Sequence, residues 1–503
     1  MKRRTFLQGT LLTGAACLLS CTASPMNETE LTVPQLRKLL DSDQITSEQL
    51  LAAFLQRVEK LDEHLNSIIE LNPEALELAR AWDRSGRRGQ LLGGIPVLLK
   101  DNIATADQMV TSAGSAALAD SRYPKDAGVV KALRSAGGIL LGKANMSEWA
   151  NYRSNNSTSG WSARGGQCRN PHDLKRSPCG SSSGSAAALA ASLTPLALGT
   201  ETVGSIACPS GICGVVGLKP TSGLLPEDGI IPIATSWDTA GPMARSVTDV
   251  AWLLEALTGG TTRYSDALTR GSLRGARVAV AESSLGFDAR VDRLVEREVR
   301  TLEKLGAKIA PPVQLPPWSK FGPLVSKLMA HEFRQGVNAY LAGQAPQAKV
   351  RSLAQVIEFN RKHPELEAME NLGQHYLTLA QDSPPLSAEE HSSLVEELFH
   401  RLRENGMEPI FSDNNLDLIV GATNGPAWVI DFVNGDHYEG GTAAQAAVGG
   451  YPHITVPGGV VQGLPIGLSF IGRRFSEQSL LSRAFDYEQE TRHFRKAEPG
   501  GIS

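Results

Sequence analysis

In the stretch Gly180-Ser181-Ser182-Ser183-Gly184-Ser185-Ala186-Ala187-Ala188-Leu189-Ala190-Ala191-Ser192-Leu193-Thr194-Pro195-Leu196-Ala197-Leu198-Gly199-Thr200-Glu201-Thr202-Val203-Gly204-Ser205, two glycine-loosened serine turns flank an apolar core. Residues 186–193 read as a helix and 195–198 as a short strand. The serine-rich start is not a flexible linker, because it is short and leads straight into the apolar helix. Ser182 or Ser183 can cap that helix, which leaves the other serines free for chemistry.

The same alternation continues outward. Upstream, 95–99 reads as a strand, 129–135 as a helix and 139–141 as a buried strand. Residues 32–62 are helical, with Thr46 and Gln49 forming a capping box that starts a second helix. Asn72-Pro73 begins another that runs through Trp82. From about 285 to 405 the chain is charged and helical, which suggests a helical lobe. Buried-strand texture returns at 418–420, 454–456 and 467–470. Strands separated by helices predict an α/β fold: a central mixed β-sheet flanked by helices on both faces. Texture shared across the insertion favours one domain over two, spanning 24–503.

The chain has 503 residues, 41% of them hydrophobic, ample for a large core. Its 49 basic and 53 acidic side chains leave a net charge of −4, so nothing points to nucleic acid. Residues 1–23 read as a signal peptide. Lys2-Arg3-Arg4-Thr5-Phe6-Leu7 is a twin-arginine pattern, and 6–20 is apolar or small but short for a membrane span. Leu18-Leu19-Ser20-Cys21 resembles a lipobox, making Cys21 a candidate for a lipid anchor; cleavage after Ala23 is the alternative. Export to the periplasm or cell envelope is the expectation. It permits disulfides among Cys168, Cys179, Cys208 and Cys213, whose pairing sequence does not assign. Cys208 and Cys213 lack zinc spacing and read by default as small buried residues.

Lys100 ends the apolar run 94–99. A serine needs a base to become a nucleophile, and a lysine serves only if burial or neighbours keep it neutral. A lysine at a strand end also snorkels readily. Two other patterns compete. Gly137-Gly138-Ile139-Leu140-Leu141-Gly142-Lys143 mimics a phosphate loop, but it follows a helix, contains a strand and has Ala144 where a metal-binding hydroxyl belongs. Gly180-Ser181-Ser182-Ser183-Gly184 mimics a nucleophile elbow centred on Ser182, but a polar, proline-containing loop precedes it instead of a strand.

Several motifs in one order resemble the amidase signature family. They are 94–102, 180–186, 199–206, 214–221, 238–245 and 464–472, and the likeness spans roughly 45–490. Stretches 142–151, 159–171 and 200–202 are most similar to its bacterial peptide amidase branch. The resemblance implies hydrolysis of a carboxamide, the C-terminal amide of a peptide, to acid and ammonia without metal or cofactor. It implies Ser205 as the acyl-forming nucleophile, Ser181 as a bridging serine behind a cis peptide bond, and Lys100 as terminal base. The backbone N–H groups of Thr202, Val203, Gly204 and Ser205 would form the oxyanion hole. Helix and strand together would return Ser205 to the sheet edge that carries Ser181. Val203 departs from the Gly or Asp common in the family and adds a stiff β-branched side chain beside the nucleophile. Trp149, Asn155 and Trp161 are candidates to line the substrate pocket, with ordinary packing as the competing reading. Aryl, aliphatic or fatty-acid amides remain alternative substrates. A transamidation subunit or an inactive binding protein is the non-hydrolytic alternative.

Overall fold

Uninterrupted Val, Ile, Leu, Ala and Gly runs cannot present a polar face to water, so the strands they form are covered on both sides. The computed structural model describes residues 27–86, 89–344, 346 and 348–499. The expected signal peptide, Cys21 included, lies outside the described residues. The strands in chain order are β1 (Ile68–Leu71), β2 (Pro96–Lys100), β3 (Ile139–Ala144), β4 (Trp161–Ser162), β5 (Gly166–Gln167), β6 (Leu196–Glu201) and β7 (Val216–Lys219). They continue with β8 (Thr239–Ala244), β9 (Arg277–Val280), β10 (Lys308–Ile309), β11 (Leu418–Ala422), β12 (His453–Val461) and β13 (Leu464–Ile471). Eleven of them make one mixed sheet in the order β1-β3-β2-β6-β8-β7-β12-β13-β11-β9-β10, and β4 pairs with β5. Helices flank this sheet, as the alternation predicts.

β2 runs parallel to both β3 and β6. Their carboxyl ends therefore share an edge, and an α/β sheet offers its ligand crevice at that edge. Lys100 closes β2 there, and Glu201 closes β6. Between the two serine turns the helix is Ser183–Ala190, three residues earlier than its apolar content suggests. The strand runs to Glu201, three residues past the expected end, because Gly199, Thr200 and Glu201 pair with Gly241, Ala240 and Thr239. The Thr46 capping box is present, with Gln49 N–H on Thr46 Oγ1 at 3.1 Å and the return bond at 2.9 Å. Gly142 and Lys143 lie inside β3, so the phosphate-loop mimic is a strand.

Helix Ala289–Lys304 packs on β10, β11 and β12 and belongs to the sheet. The helices with a core of their own begin later than 285, at Gly322–Ala342, and include Leu353–Lys362, His375–Asp382 and Ala388–Phe399. Phe333, Leu328, Val356, Leu377 and Leu398 form that second core. Trp149, Tyr152, Ile233 and Trp237, from loops beyond the sheet edge, are part of it, and Val203 packs against it. The serine turns thus sit where sheet edge and helical lobe meet. Among the described residues no helix is long and apolar enough to cross a membrane.

Candidate active site

Parallel pairing of β2 with β6 brings Lys100 and Thr200 together. Lys100 is fully buried. Its Nζ lies 2.8 Å from Ser181 Oγ, 3.0 Å from the Thr200 carbonyl oxygen and 2.9 Å from Thr200 Oγ1. Asn102, two residues on, donates to the same Thr200 Oγ1 at 3.0 Å. Burial pulls the Lys100 ammonium down to about 7, against the opposing pull of the Asp238 and Glu201 carboxylates. A neutral amine has two N–H groups and one lone pair. Thr200 can take both N–H groups, and the lone pair then accepts the Ser181 hydroxyl proton.

The Gly180–Ser181 peptide bond is cis, as the resemblance implies. A Cβ at position 180 would collide with Ser147 Oγ, so this approach favours glycine. The Ser181 carbonyl accepts the Ser147 N–H at 3.2 Å. Ser182 is occupied structurally. Its N–H donates to the Ser205 carbonyl at 3.1 Å, its Oγ donates to the Thr200 carbonyl at 3.2 Å, and the Thr200 N–H returns at 3.3 Å. Ser183 Oγ donates to the Cys179 carbonyl at 2.6 Å. The central serine of the apparent elbow is therefore a latch between the two turns.

Ser205 ends the second turn and is 7% exposed. Its hydroxyl has no hydrogen-bond partner among the described residues. Glu201 Oε2 closes this turn from below, accepting the Ile206 N–H at 2.7 Å and the Ala207 N–H at 2.9 Å. Burial raises the Glu201 pKa, while Lys219 and these N–H groups hold it down. The N–H groups of Thr202, Val203 and Ser205 have no protein acceptor among the described residues, whereas that of Gly204 faces the Glu201 carboxylate. Three donors of one turn thus remain free for an anion. Gly204 takes the left-handed conformation at φ 87°, and Val203 is not among the residues with positive φ. The β-branched side chain is spared the strained position. Thr202 is held by Asp238, whose Oδ1 accepts the Thr202 hydroxyl at 2.5 Å and whose Oδ2 accepts the Ile233 and Ala234 N–H groups at 2.7 and 2.9 Å. Burial lifts Asp238 to about 6.

The three pocket candidates fare differently. Trp149 is buried in the lobe core, edge-on to Phe333 at 6.0 Å. Trp161 lies under the Arg153 guanidinium at 5.2 Å. Asn155 is exposed and accepts a hydrogen bond from Ser154. None of them contacts Lys100, Ser181 or Ser205 among the hydrogen bonds and ring contacts of the described residues. Cys208, expected as a plain buried residue, forms a disulfide with Cys179, because the helix following Ser205 starts against the Ser181 turn. Cys168 and Cys213 are free and buried.

Residues 49–481 match the family model described as Amidase. The chain belongs to the amidase family. This amidase is 37% identical over 489 residues to a probable amidase of Arabidopsis thaliana, covering 92% of this chain and 90% of that protein. It is 34% identical to a component of the glutamyl-tRNA(Gln) amidotransferase of Pseudomonas syringae pv. syringae, covering 94% and 99%. The crystal structure of native peptide amidase from Stenotrophomonas maltophilia superposes with a TM-score of 0.87 at 42% identity, covering 94% of this chain and 99% of that one. The chain is accordingly an enzyme that hydrolyses amides, with the amidase signature fold.

Proposed function

We propose that this amidase removes the C-terminal carboxamide of peptides, through a Ser205 acyl-enzyme served by a Ser181–Lys100 relay. The observation that carries the relay is the buried 2.8 Å contact between Lys100 Nζ and Ser181 Oγ. Neutral Lys100 takes the Ser181 proton as Ser181 takes that of Ser205. Ser205 Oγ bonds to the amide carbon, and the oxygen becomes an anion facing the N–H groups of Thr202, Val203 and Ser205. One such donor contributes about 3 kcal/mol to the transition state. The relay returns a proton to nitrogen, the C–N bond breaks and ammonia leaves. Water then attacks the ester by the same path, releasing acid and restoring Ser205. The substrate reading is supported by the 42% identity to peptide amidase across nearly the whole chain.

Ammonia release from a panel of peptide, aryl, aliphatic and fatty-acyl amides tests both parts. Peptide amides are expected to be fastest, with a fluorophosphonate adduct mapping to Ser205. Undiminished turnover by Ser205→Ala would sink the nucleophile, and a preference for aryl or fatty-acyl amides would sink the substrate class. We also propose export. The Cys179–Cys208 disulfide supports it, since such bonds persist outside the reducing cytoplasm. Mass spectrometry of the natural protein should find a mature start at a lipidated Cys21 or at Ser24, and an intact Met1 would refute it.

A further inference from the structure

We propose that the Cys179–Cys208 disulfide is a positioning element of the active site, clamping the Ser181 turn to the Ser205 turn so that the oxidised chain is the fully competent enzyme. This rests on the Ser205–Ser181–Lys100 reading. Cys179 stands two residues before Ser181, and Cys208 three residues after Ser205. The bond spans a sequence separation of 29, with Cα atoms 6.0 Å apart. Within that loop lie the helix Ser183–Ala190 and β6, so the two turns are the far ends of a rigid excursion. Ser205 Oγ has no partner of its own among the described residues. Its place depends on how the turn is held: the Ser182 N–H donates to the Ser205 carbonyl, Glu201 Oε2 accepts the Ile206 and Ala207 N–H groups, and in the first turn of the following helix the Cys208 N–H donates to the Gly204 carbonyl at 2.8 Å. Cys208 is thus tied on one side to the Ser205 turn and on the other, covalently, to the Ser181 turn.

The backbone at Cys179 points the same way. It adopts φ 57°, a left-handed conformation that glycine enters freely and cysteine does not. A non-glycine residue in that conformation persists only where the surrounding structure holds it, and such residues cluster at functional turns. The pairing is also protected from exchange. Cys213 Sγ lies 3.7 Å from the Pro178 carbonyl, next to the bridge, and Cys168 is near it. Burial raises both thiols above their ordinary range, so neither supplies the thiolate that attacks a disulfide. Reduction therefore needs an external reagent. A dithiol gives two electrons and two protons to the bridge and becomes a disulfide itself, while Cys179 and Cys208 become thiols. Oxidised glutathione reverses the step.

The test compares oxidised and dithiothreitol-reduced enzyme, with the thiol count verified by mass after iodoacetamide trapping. The clamp predicts that kcat on a peptide amide falls about 10- to 100-fold, the effect of misplacing a reacting group by about an ångström. KM should stay within about twofold, fluorophosphonate-titratable sites should be undiminished, and reoxidation should restore the rate. The double variant Cys179→Gly/Cys208→Ala, which relieves the left-handed cysteine, should show the same lowered kcat and no response to dithiothreitol. Full kcat in the reduced enzyme overturns the proposal, as does a rate loss matched by lost titratable sites, which would make the bond a prop for the fold alone. The hydrolase reading fails separately, if the oxidised enzyme releases no ammonia.

Discussion

Lys100 and Lys143 occupy neighbouring parallel strands, with Leu99 opposite Lys143 and Lys100 opposite Ala144. Both are fully buried, and burial lowers both, to about 7 and about 8. Each donates to a backbone carbonyl and a threonine hydroxyl: Thr200 for Lys100, and Ile103 with Thr111 for Lys143. The difference is a third partner. Lys100 alone touches a serine hydroxyl that lies beside a second serine turn with free N–H groups. Lys143 is instead ringed by Asp101, Asp107 and Glu70, with Arg164 opposing them. A depressed lysine pKa is thus a consequence of burial, found wherever a strand end dives into the core. Chemistry requires a hydroxyl that can carry the proton onward.

If that contrast is right, rate follows the relay and ignores the other lysine. Ser205→Ala should lower kcat by about 10⁴- to 10⁶-fold, with a folded protein by circular dichroism, since Ser205 Oγ makes no hydrogen bond to lose. Lys100→Met should be nearly as damaging. Relay members act as a unit, so the double variant should be no slower than Ser205→Ala alone. Additive losses in stopped-assay kcat would break the relay into independent parts. Ser181→Ala comes next, at about 10²- to 10⁴-fold, the range of one general acid–base step.

The pH profile sharpens the same contrast. Lys100 must be neutral to act, so kcat/KM should drop about tenfold per unit below an apparent pKa near 7. Asp238 raises the Lys100 pKa by its negative charge. Asp238→Asn removes that charge, the ammonium becomes easier to deprotonate, and the acid limb should move to lower pH. Asp107→Asn, beside Lys143, should leave the limb where it is. A limb that follows Asp107 instead would assign the titration to the wrong lysine.

These contrasts also mark what a sequence can tell. Lys100 stands out in sequence as the end of an apolar run, and Ser181 and Ser205 as glycine-flanked serines around a helix and strand, but the roles expected of them come from the family resemblance. The Thr46 capping box and the strand over 139–141 rest on local spacing, and spacing is local information. Thr200 reads in sequence as part of a turn, because nothing near it announces that β8 pairs through Glu201. Its role as the cradle of Lys100 depends on the β2–β6 register, a long-range fact. Asp238 joins the site from 36 residues beyond Thr202 for the same reason. Ser182 mimics an elbow nucleophile by its spacing, and only the fold shows its Oγ consumed by Thr200. Trp149 and Trp161 are ambiguous in sequence because aromatic rings serve packing and binding alike. Of the six pairs that four cysteines allow, only the fold can select Cys179 with Cys208.

The smallest effect on rate, and the one that tests the contrast from the other side, is Lys143→Met. Methionine fills the volume but removes the donor that the Ile103 carbonyl and Thr111 hydroxyl share, leaving them the 3.4 Å bond between each other. That should cost about 1–3 kcal/mol of unfolding free energy while kcat stays within a few-fold. The sign of its pH dependence follows from the lowered pKa. Between about 8 and the ordinary lysine value of 10.5, the unfolded chain keeps the Lys143 proton and the folded chain does not. More protons on the unfolded state means that Lys143 favours folding increasingly as pH rises through that window. Methionine has no such contribution, so urea unfolding should show a larger gap between wild type and Lys143→Met at pH 10 than at pH 7. A gap that shrinks instead would mean that Lys143 stays charged in its pocket. The contrast with Lys100 would then lie in protonation as well as in the serine each lysine does or does not touch.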